Sequence, residues 1–329
     1  MKKDIFKKIY KAIKDHQTIV IARHIGPDPD SIASQIALRD SIRLTFPDKK
    51  VYAVGIGVAK FRYFGNLDKI DDSLLQDPLL IVLDLPNKSR VDGVSFERYK
   101  DIIKIDHHPH EDKMGDIEYV DEKASSTCEI ITLLINNTHL KMNSEIAAKL
   151  FMGIVADSDR FLVPSTNPIT FDVAKNLIIK YKLNLTDMYN HLYERPLNEA
   201  RFQSYITLNM TVTENGFGYI KLNNDKIKEY EVDSSTASNM INNFNYIKGI
   251  YVWAFVSYDE RQDLYKVNIR SRGPVINEIA MKYNGGGHKL ASGARIKSPE
   301  DIDLLFEELD NACKLYKESL DIKNKETNV

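Results

Sequence analysis

The chain has 329 residues, enough for two domains with a core each, and its 43% hydrophobic and 28% charged residues are those of a globular protein. A formal net charge of −2 argues against a protein that tracks long nucleic acid, because each phosphate contact on such a path uses a lysine or arginine. No apolar run reaches the roughly 18 residues of a membrane span, and Cys128 and Cys313 have no CxxC or Cys/His neighbour that would point to a disulfide framework or a zinc site.

In chain order, the start is basic but leads into an amphipathic helix over residues 4–14 rather than an apolar signal core, which places the protein in the cytoplasm. Thr18–Ala22 is a short β-branched run that reads as a buried strand ending near His24, and a helix follows from Asp30 or Ser31. Val51–Val54, Leu79–Leu83 and Ile102–Ile105 read as three more strands, with an ambiguous stretch at 59–76. Strands alternating with helices predict an α/β fold with a mainly parallel sheet and helices on both faces, whose ligands bind beyond the carboxyl ends of the strands. Residues 125–181 read as helices, and 182–198 as a polar linker with short helices. Strands are then expected at 217–222, 250–258 and 263–270, the last two joined as a hairpin, before a final amphipathic helix at 299–320.

The chemistry-bearing residues sit at the strand ends. His24-Ile25-Gly26-Pro27-Asp28-Pro29-Asp30 gathers three oxygen or imidazole ligands on one turn that two prolines stiffen. Asp84 and then Asp106-His107-His108 each follow an apolar strand, and Asp157 follows an apolar helix. Hard divalent cations such as Mn²⁺ and Mg²⁺ take such a set, and Mn²⁺ also accepts imidazole. Each residue alone has a plain explanation, Asp30 as a helix cap for instance; the ordered set does not. Neighbouring side chains of an extended segment point opposite ways, so His107 and His108 are not expected to serve one metal. Far downstream, Gly285-Gly286-Gly287-His288 offers backbone amides for an anion, and the strand before it ends in Arg270 and Arg272, residues suited to bidentate phosphate contact. Tyr251, Trp253 and Phe255 alternate, as a core stripe does.

The order and spacing of these motifs resemble the DHH/DHHA1 phosphoesterase superfamily across nearly the whole chain, and within it the stand-alone nanoRNase/pAp-phosphatase branch. The resemblance implies a DHH domain at 1–181, a linker at 182–198, a smaller α/β DHHA1 domain at 199–322 and a frayed tail at 323–329, with the active site in the cleft between domains. It implies two divalent cations, Mn²⁺ foremost and Mg²⁺ as the alternative: His24, Asp28 and Asp84 hold one, and Asp30, Asp84, His107 and Asp157 hold the other. A hydroxide bridging them attacks the phosphate, His108 assists the leaving oxygen, and Asp106 orients the histidines. Arg270 and His288 with its glycines hold the substrate's uncleaved phosphate or terminal nucleotide, with Arg272 as a lesser neighbour.

The implied substrates are very short single-stranded RNA, cut to mononucleotides, and 3′-phosphoadenosine 5′-phosphate; long duplex DNA and membranes are not implied partners, and a homodimer is left open. The alternative within the superfamily is a phosphodiesterase for cyclic dinucleotides or their linear products, and the rival of another class is a nucleotide sensor without turnover. Two positions depart from the common pattern. Gly26 replaces a larger residue, and Asp159 stands where glycine is common, so that Asp157 and Asp159 compete for the last ligand position; Asp157 is preferred because it closely follows the apolar helix.

Overall fold

The computed structural model describes residues 2–327, and the division between its two compact units falls between Glu194 and Arg195. The first unit runs α1 (Lys2–Asp15), β1 (Thr18–Ala22), α2 (Pro29–Thr45), β2 (Lys50–Ala53), β3 (Leu79–Leu83), β4 (Asp101–Asp106), β5 (Ile117–Val120), α3 (Thr127–Asn136), α4 (Ser144–Asp157), α5 (Pro168–Tyr181) and α6 (Leu185–Tyr193). Its five strands lie in the order β2-β1-β3-β4-β5 and pair in parallel throughout. Central strand β3 is buried along its whole length, which is why Leu79–Leu83 carries no polar alternation.

The two faces of this sheet are not alike, contrary to the expectation of helices on both. Ile19, Ile21, Ile81 and Ile103 join one core with residues of α1 to α5. Val20, Ala22, Leu80, Val82 and Ile102 face a smaller cluster closed by Leu85, Tyr99 and Met114, which come from connections rather than α-helices. The ambiguous stretch forms only 3₁₀ turns at Ala59–Phe64 and Asp72–Leu74. Gly55 and Gly57 lead into that segment and Gly65 lies within it, and glycine is a poor helix former.

The second unit runs α7 (Leu197–Asn209), β6 (Thr211–Val212), β7 (Phe217–Leu222), α8 (Asn224–Glu229), α9 (Ser234–Asn239), β8 (Val252–Asp259), β9 (Leu264–Ser271), α10 (Asn277–Met281), β10 (Gly286–His288), β11 (Ala291–Ile296) and α11 (Pro299–Thr327). Its six strands follow the order β10-β11-β9-β8-β7-β6, with β7 and β8 parallel and the other pairs antiparallel. Period-two alternation along β8 splits its side chains between two cores. Val252, Ala254 and Val256 pack with α10 and α11, while Trp253 and Phe255 pack with α7, α8 and α9. Trp253 donates its indole N–H to the Ile241 carbonyl at 2.8 Å, a core role for that ring. Tyr251 precedes the strand and packs with the other core, against Tyr316, so the three aromatic rings do not share one face. Helix α11 continues to Thr327, beyond the end expected near residue 320, in keeping with the helix propensity of its lysines and glutamate. The fraying expected of Asn328 and Val329 lies outside the described residues.

Candidate metal and phosphoester site

Strand β1 leads directly into the buried pair Arg23 and His24. Gly26 turns the chain at φ +71°, and Pro29 opens α2. Asp28 is the N-cap: its Oδ1 accepts the Ser31 N–H at 2.9 Å, while its Oδ2 lies 3.4 Å from His24 Nε2. One oxygen builds the helix and the other faces the site. The capping role that Asp30 alone suggested therefore belongs to Asp28. Asp30 is buried and reaches across to the first turn of α3, accepting the Thr127 N–H at 2.7 Å and the Cys128 N–H at 2.9 Å. Those two amides have no partner inside their own helix, so Asp30 fixes α3 against α2.

Asp84 is the centre of the cluster. It takes a left-handed backbone, φ +62°, just beyond β3. Its Oδ1 accepts the Thr127 hydroxyl at 3.0 Å and lies 3.4 Å from His107 Nε2, and its Oδ2 lies 3.6 Å from His24 Nε2. His107 Nε2 is also 3.3 Å from Asp157 Oδ2. The structure thus gathers His24, Asp28 and Asp84 into one group and Asp30, His107 and Asp157 into another, with ligand atoms within 4.8 Å of one another in each; Asp84, His107 and His108 form an overlapping third set by the same measure. Asp159 enters neither group; its carboxylate pairs with Arg160 at 2.5 Å.

The expectation that His107 and His108 diverge does not hold. Strand β4 stops at Asp106, whose Oδ1 accepts the His107 N–H at 2.8 Å and the His108 N–H at 3.1 Å. That turn curls the chain and brings the two rings to 4.6 Å, so His108 Nδ1 lies 3.7 Å from Asp84 Oδ1. The same Asp106 oxygen is 2.8 Å from His108 Nδ1, which leaves Nε2 as the ring's other nitrogen.

Charge in the cluster is unbalanced without cations. Burial opposes ionisation of Asp84, but the hydrogen bonds of His107 and His24 outweigh it and hold its carboxyl well below the usual range. Burial opposes a charge on His24 too, yet Asp28 and Asp84 raise it to about 10; burial opposes a charge on His107 as well, but Asp84 and Asp157 lift it well above its ordinary value. Burial and the charges of Asp84 and Asp157 push Asp30 well up, and burial with Asp84 and Asp28 takes Asp157 to about 7. Protons sit where divalent charge would serve better, and the oxygen-rich donors with two imidazoles fit Mn²⁺ or a similar hard cation.

In the second unit Arg270 lies on β9, in register with Trp253 and Ala291. Its Nε donates to Asn242 Oδ1 at 3.0 Å and its Nη1 to the Ile269 carbonyl at 3.0 Å. Arg272 donates to the carbonyls of Asn245, Ile247 and Ile250, pinning the segment before β8. The glycine run is not an open loop: Gly286–His288 is strand β10, paired with Gly293–Ala291 across a tight turn at Lys289 and Leu290. A Cβ on Gly285 would collide with the Gly293 carbonyl oxygen, and Gly287 sits at φ +131°. Gly286 meets nothing; it lines a cavity of about 500 Å³ with Lys266, Asn268, Asn284 and Arg295, and His288 is exposed. Lys266, Asn268 and Arg270 share a face by strand alternation, a signal that could have named the first two from the sequence.

A parallel sheet with aspartates and histidines at its strand ends, followed by a second α/β unit with a glycine hairpin, defines the class of two-domain DHH-type proteins. The chain belongs to the DHH/DHHA1 family: residues 18–154 match the DHH family, N-terminal domain, and residues 217–315 match the DHHA1 domain. It is 37% identical over 310 residues, 93% of this chain and 98% of the other, to the Bacillus subtilis protein named bifunctional oligoribonuclease and PAP phosphatase NrnA. A Streptococcus mutans protein named probable bifunctional oligoribonuclease and PAP phosphatase NrnA is 36% identical over 94% of this chain and 99% of its own. Among solved structures, an exopolyphosphatase-related protein from Bacteroides fragilis shares the fold at a TM-score of 0.84 and 22% identity, covering 97% of this chain and 98% of that one. No helix among the described residues is long and apolar enough to cross a membrane.

Proposed function

We propose that the protein is a cytoplasmic, metal-dependent phosphoesterase that hydrolyses very short RNA to mononucleotides and removes a phosphate from 3′-phosphoadenosine 5′-phosphate. The observation that carries this reading is the meeting of His24, Asp28 and Asp84 with Asp30, His107 and Asp157 around one central carboxylate. The names of the full-length relatives support the substrate class.

His24, Asp28 and Asp84 would hold one divalent cation and Asp30, Asp84, His107 and Asp157 would hold a second, Mn²⁺ suiting the mixed oxygen and imidazole set. When bound, the cations supply Lewis acidity at the phosphoryl group. Asp106 accepts the Nδ1 proton of His108 at 2.8 Å and so orients the ring; the imidazolium form, with Nε2 protonated as well, is the one that serves the leaving oxygen. Arg270 and the Gly285–His288 hairpin hold the phosphate that is not cleaved, with Arg272 keeping the neighbouring backbone in place.

One panel tests this: 3′-phosphoadenosine 5′-phosphate, RNA of two to five nucleotides, and cyclic and linear di-adenylate, compared under identical Mn²⁺ conditions. The first two should turn over fastest. Preference for cyclic or linear di-adenylate would replace the reading with a dinucleotide phosphodiesterase, and tight binding of all without turnover would make the protein a sensor.

A further inference from the structure

One charged side chain lies wholly inside the first sheet, apart from the ligand cluster. Strand β4 reads Asp101-Ile102-Ile103-Lys104-Ile105-Asp106, and Lys104 is fully buried, in register with Val82 of β3 and Glu118 of β5. Strand alternation puts it on the face of Ile102, beside the small cluster of Val82, Leu85 and Met114. A leucine or isoleucine would suit that place. A buried ion pair seldom stabilises more than an apolar residue of its size, so fold stability is a poor reason for a lysine here.

Its two contacts supply a better one. Lys104 Nζ donates to the Pro86 carbonyl at 2.9 Å, two residues beyond Asp84, and lies 3.5 Å from Asp106 Oδ2. That Oδ2 is buried and accepts no hydrogen bond, while Oδ1 of the same carboxylate organises the whole His107–His108 turn. One ammonium therefore ties the chain leaving β3, which carries Asp84, to the chain leaving β4, which carries both histidines. We infer that Lys104 is a positioning residue, a buried cation that sets the Asp84 and Asp106-His107-His108 turns in register so that ligands and proton donor meet. This rests on the phosphoesterase reading for its link to catalysis, though not for its link to the turn.

The turn is tested without turnover. In Lys104→Met, which keeps bulk and removes charge, amide hydrogen exchange at His107 and His108 should rise selectively in the cation-free chain, with exchange in α1 and α11 unchanged. Mn²⁺ affinity by calorimetry should fall about ten- to a hundred-fold, the range for loss of a partner behind a metal ligand. At saturating Mn²⁺, kcat should stay depressed with KM within about threefold of the parent. Lys104→Arg should recover part of each loss, and Lys149→Met, which removes a cation paired with Asp40, should show none.

Unchanged exchange and Mn²⁺ affinity in a folded Lys104→Met would overturn the proposal. If that variant does not fold, Lys104→Gln, which keeps a donor toward Pro86, takes its place: the same rise in exchange and fall in affinity support the proposal, and no change in either overturns it. A parent that binds no Mn²⁺ and hydrolyses none of the panel defeats the phosphoesterase reading instead; the exchange measurement still decides the role of Lys104.

Discussion

Asp84 combines a demanding backbone with approaches to His24, His107 and His108, and a left-handed φ of +62° is tolerated by Asp and Asn far better than by branched residues. Asp84→Asn therefore removes charge without adding backbone strain. It should abolish two-metal stoichiometry and lower activity more than about a hundredfold, beyond the loss of an outer partner. Metal analysis of the purified variant checks this, and two tightly bound ions would contradict the bridging role. The titrating groups make a second prediction. His24 is raised to about 10 and Asp157 to about 7 in the cation-free fold. A raised histidine stabilises fully below its unfolded value of about 6.5 and loses that contribution as pH climbs through the folded value; a raised carboxyl loses its own between about 4 and the folded value. Cation-free protein should thus lose thermal stability from about pH 4, through Asp157, to about pH 10, through His24, while the Tm gain on adding Mn²⁺, followed from about pH 6 to about pH 8.5, should grow because fewer protons remain to be displaced. A gain that shrinks with pH would mean that Mn²⁺ does not compete with those protons.

Among the elements, strand β9 and hairpin β10–β11 separate structural from substrate roles at neighbouring positions. Arg272→Ala leaves three carbonyls short of a donor and should lower stability by about 1–3 kcal/mol in denaturant unfolding. Arg270→Ala should instead raise KM for 3′-phosphoadenosine 5′-phosphate about ten- to a hundred-fold, the equivalent of about 1.5–3 kcal/mol for one charge-assisted contact. It should leave a generic phosphodiester such as bis-p-nitrophenyl phosphate nearly unaffected. Equal proportional losses on both substrates would move Arg270 into the fold or the chemistry. The glycines divide likewise. Gly287→Ala adds a Cβ at φ +131°, 2.6 Å from the Ala291 oxygen, and should destabilise by about 1–3 kcal/mol. Gly286→Ala meets open space and should stay within about 0.5 kcal/mol of the parent while raising KM, because its methyl narrows the cavity.

For the molecule as a whole, the net charge of −2 offers no general attraction for a long polyanion. Rates on a ladder of RNA lengths should be greatest at two to five nucleotides. A long single strand cleaved as fast as a trinucleotide would refute the preference for short substrates.

Much of this was legible in the chain because it is local. Short apolar runs fixed β1, β3 and β7 to the residue, and the order of His24, Asp28, Asp30, Asp84, Asp106-His107-His108 and Asp157 fixed the family and the candidate ligands. Edge strand β5 and the glycine strand β10 escaped because their register comes from neighbours rather than from an apolar alternation, and β11 escaped because two of its three buried alternate positions, Ser292 and Ala294, are small. Tertiary structure alone decided which oxygens serve the fold and which face the site: Asp30 meets amides of Thr127 and Cys128 far along the chain, and Asp106 turns both histidines to one side. It also placed Lys104, which reads in sequence as one polar interruption of an apolar strand, beneath two ligand-bearing turns. Periodicity records which face a side chain takes; it carries no record of the distant polar partner that burial then obliges it to find.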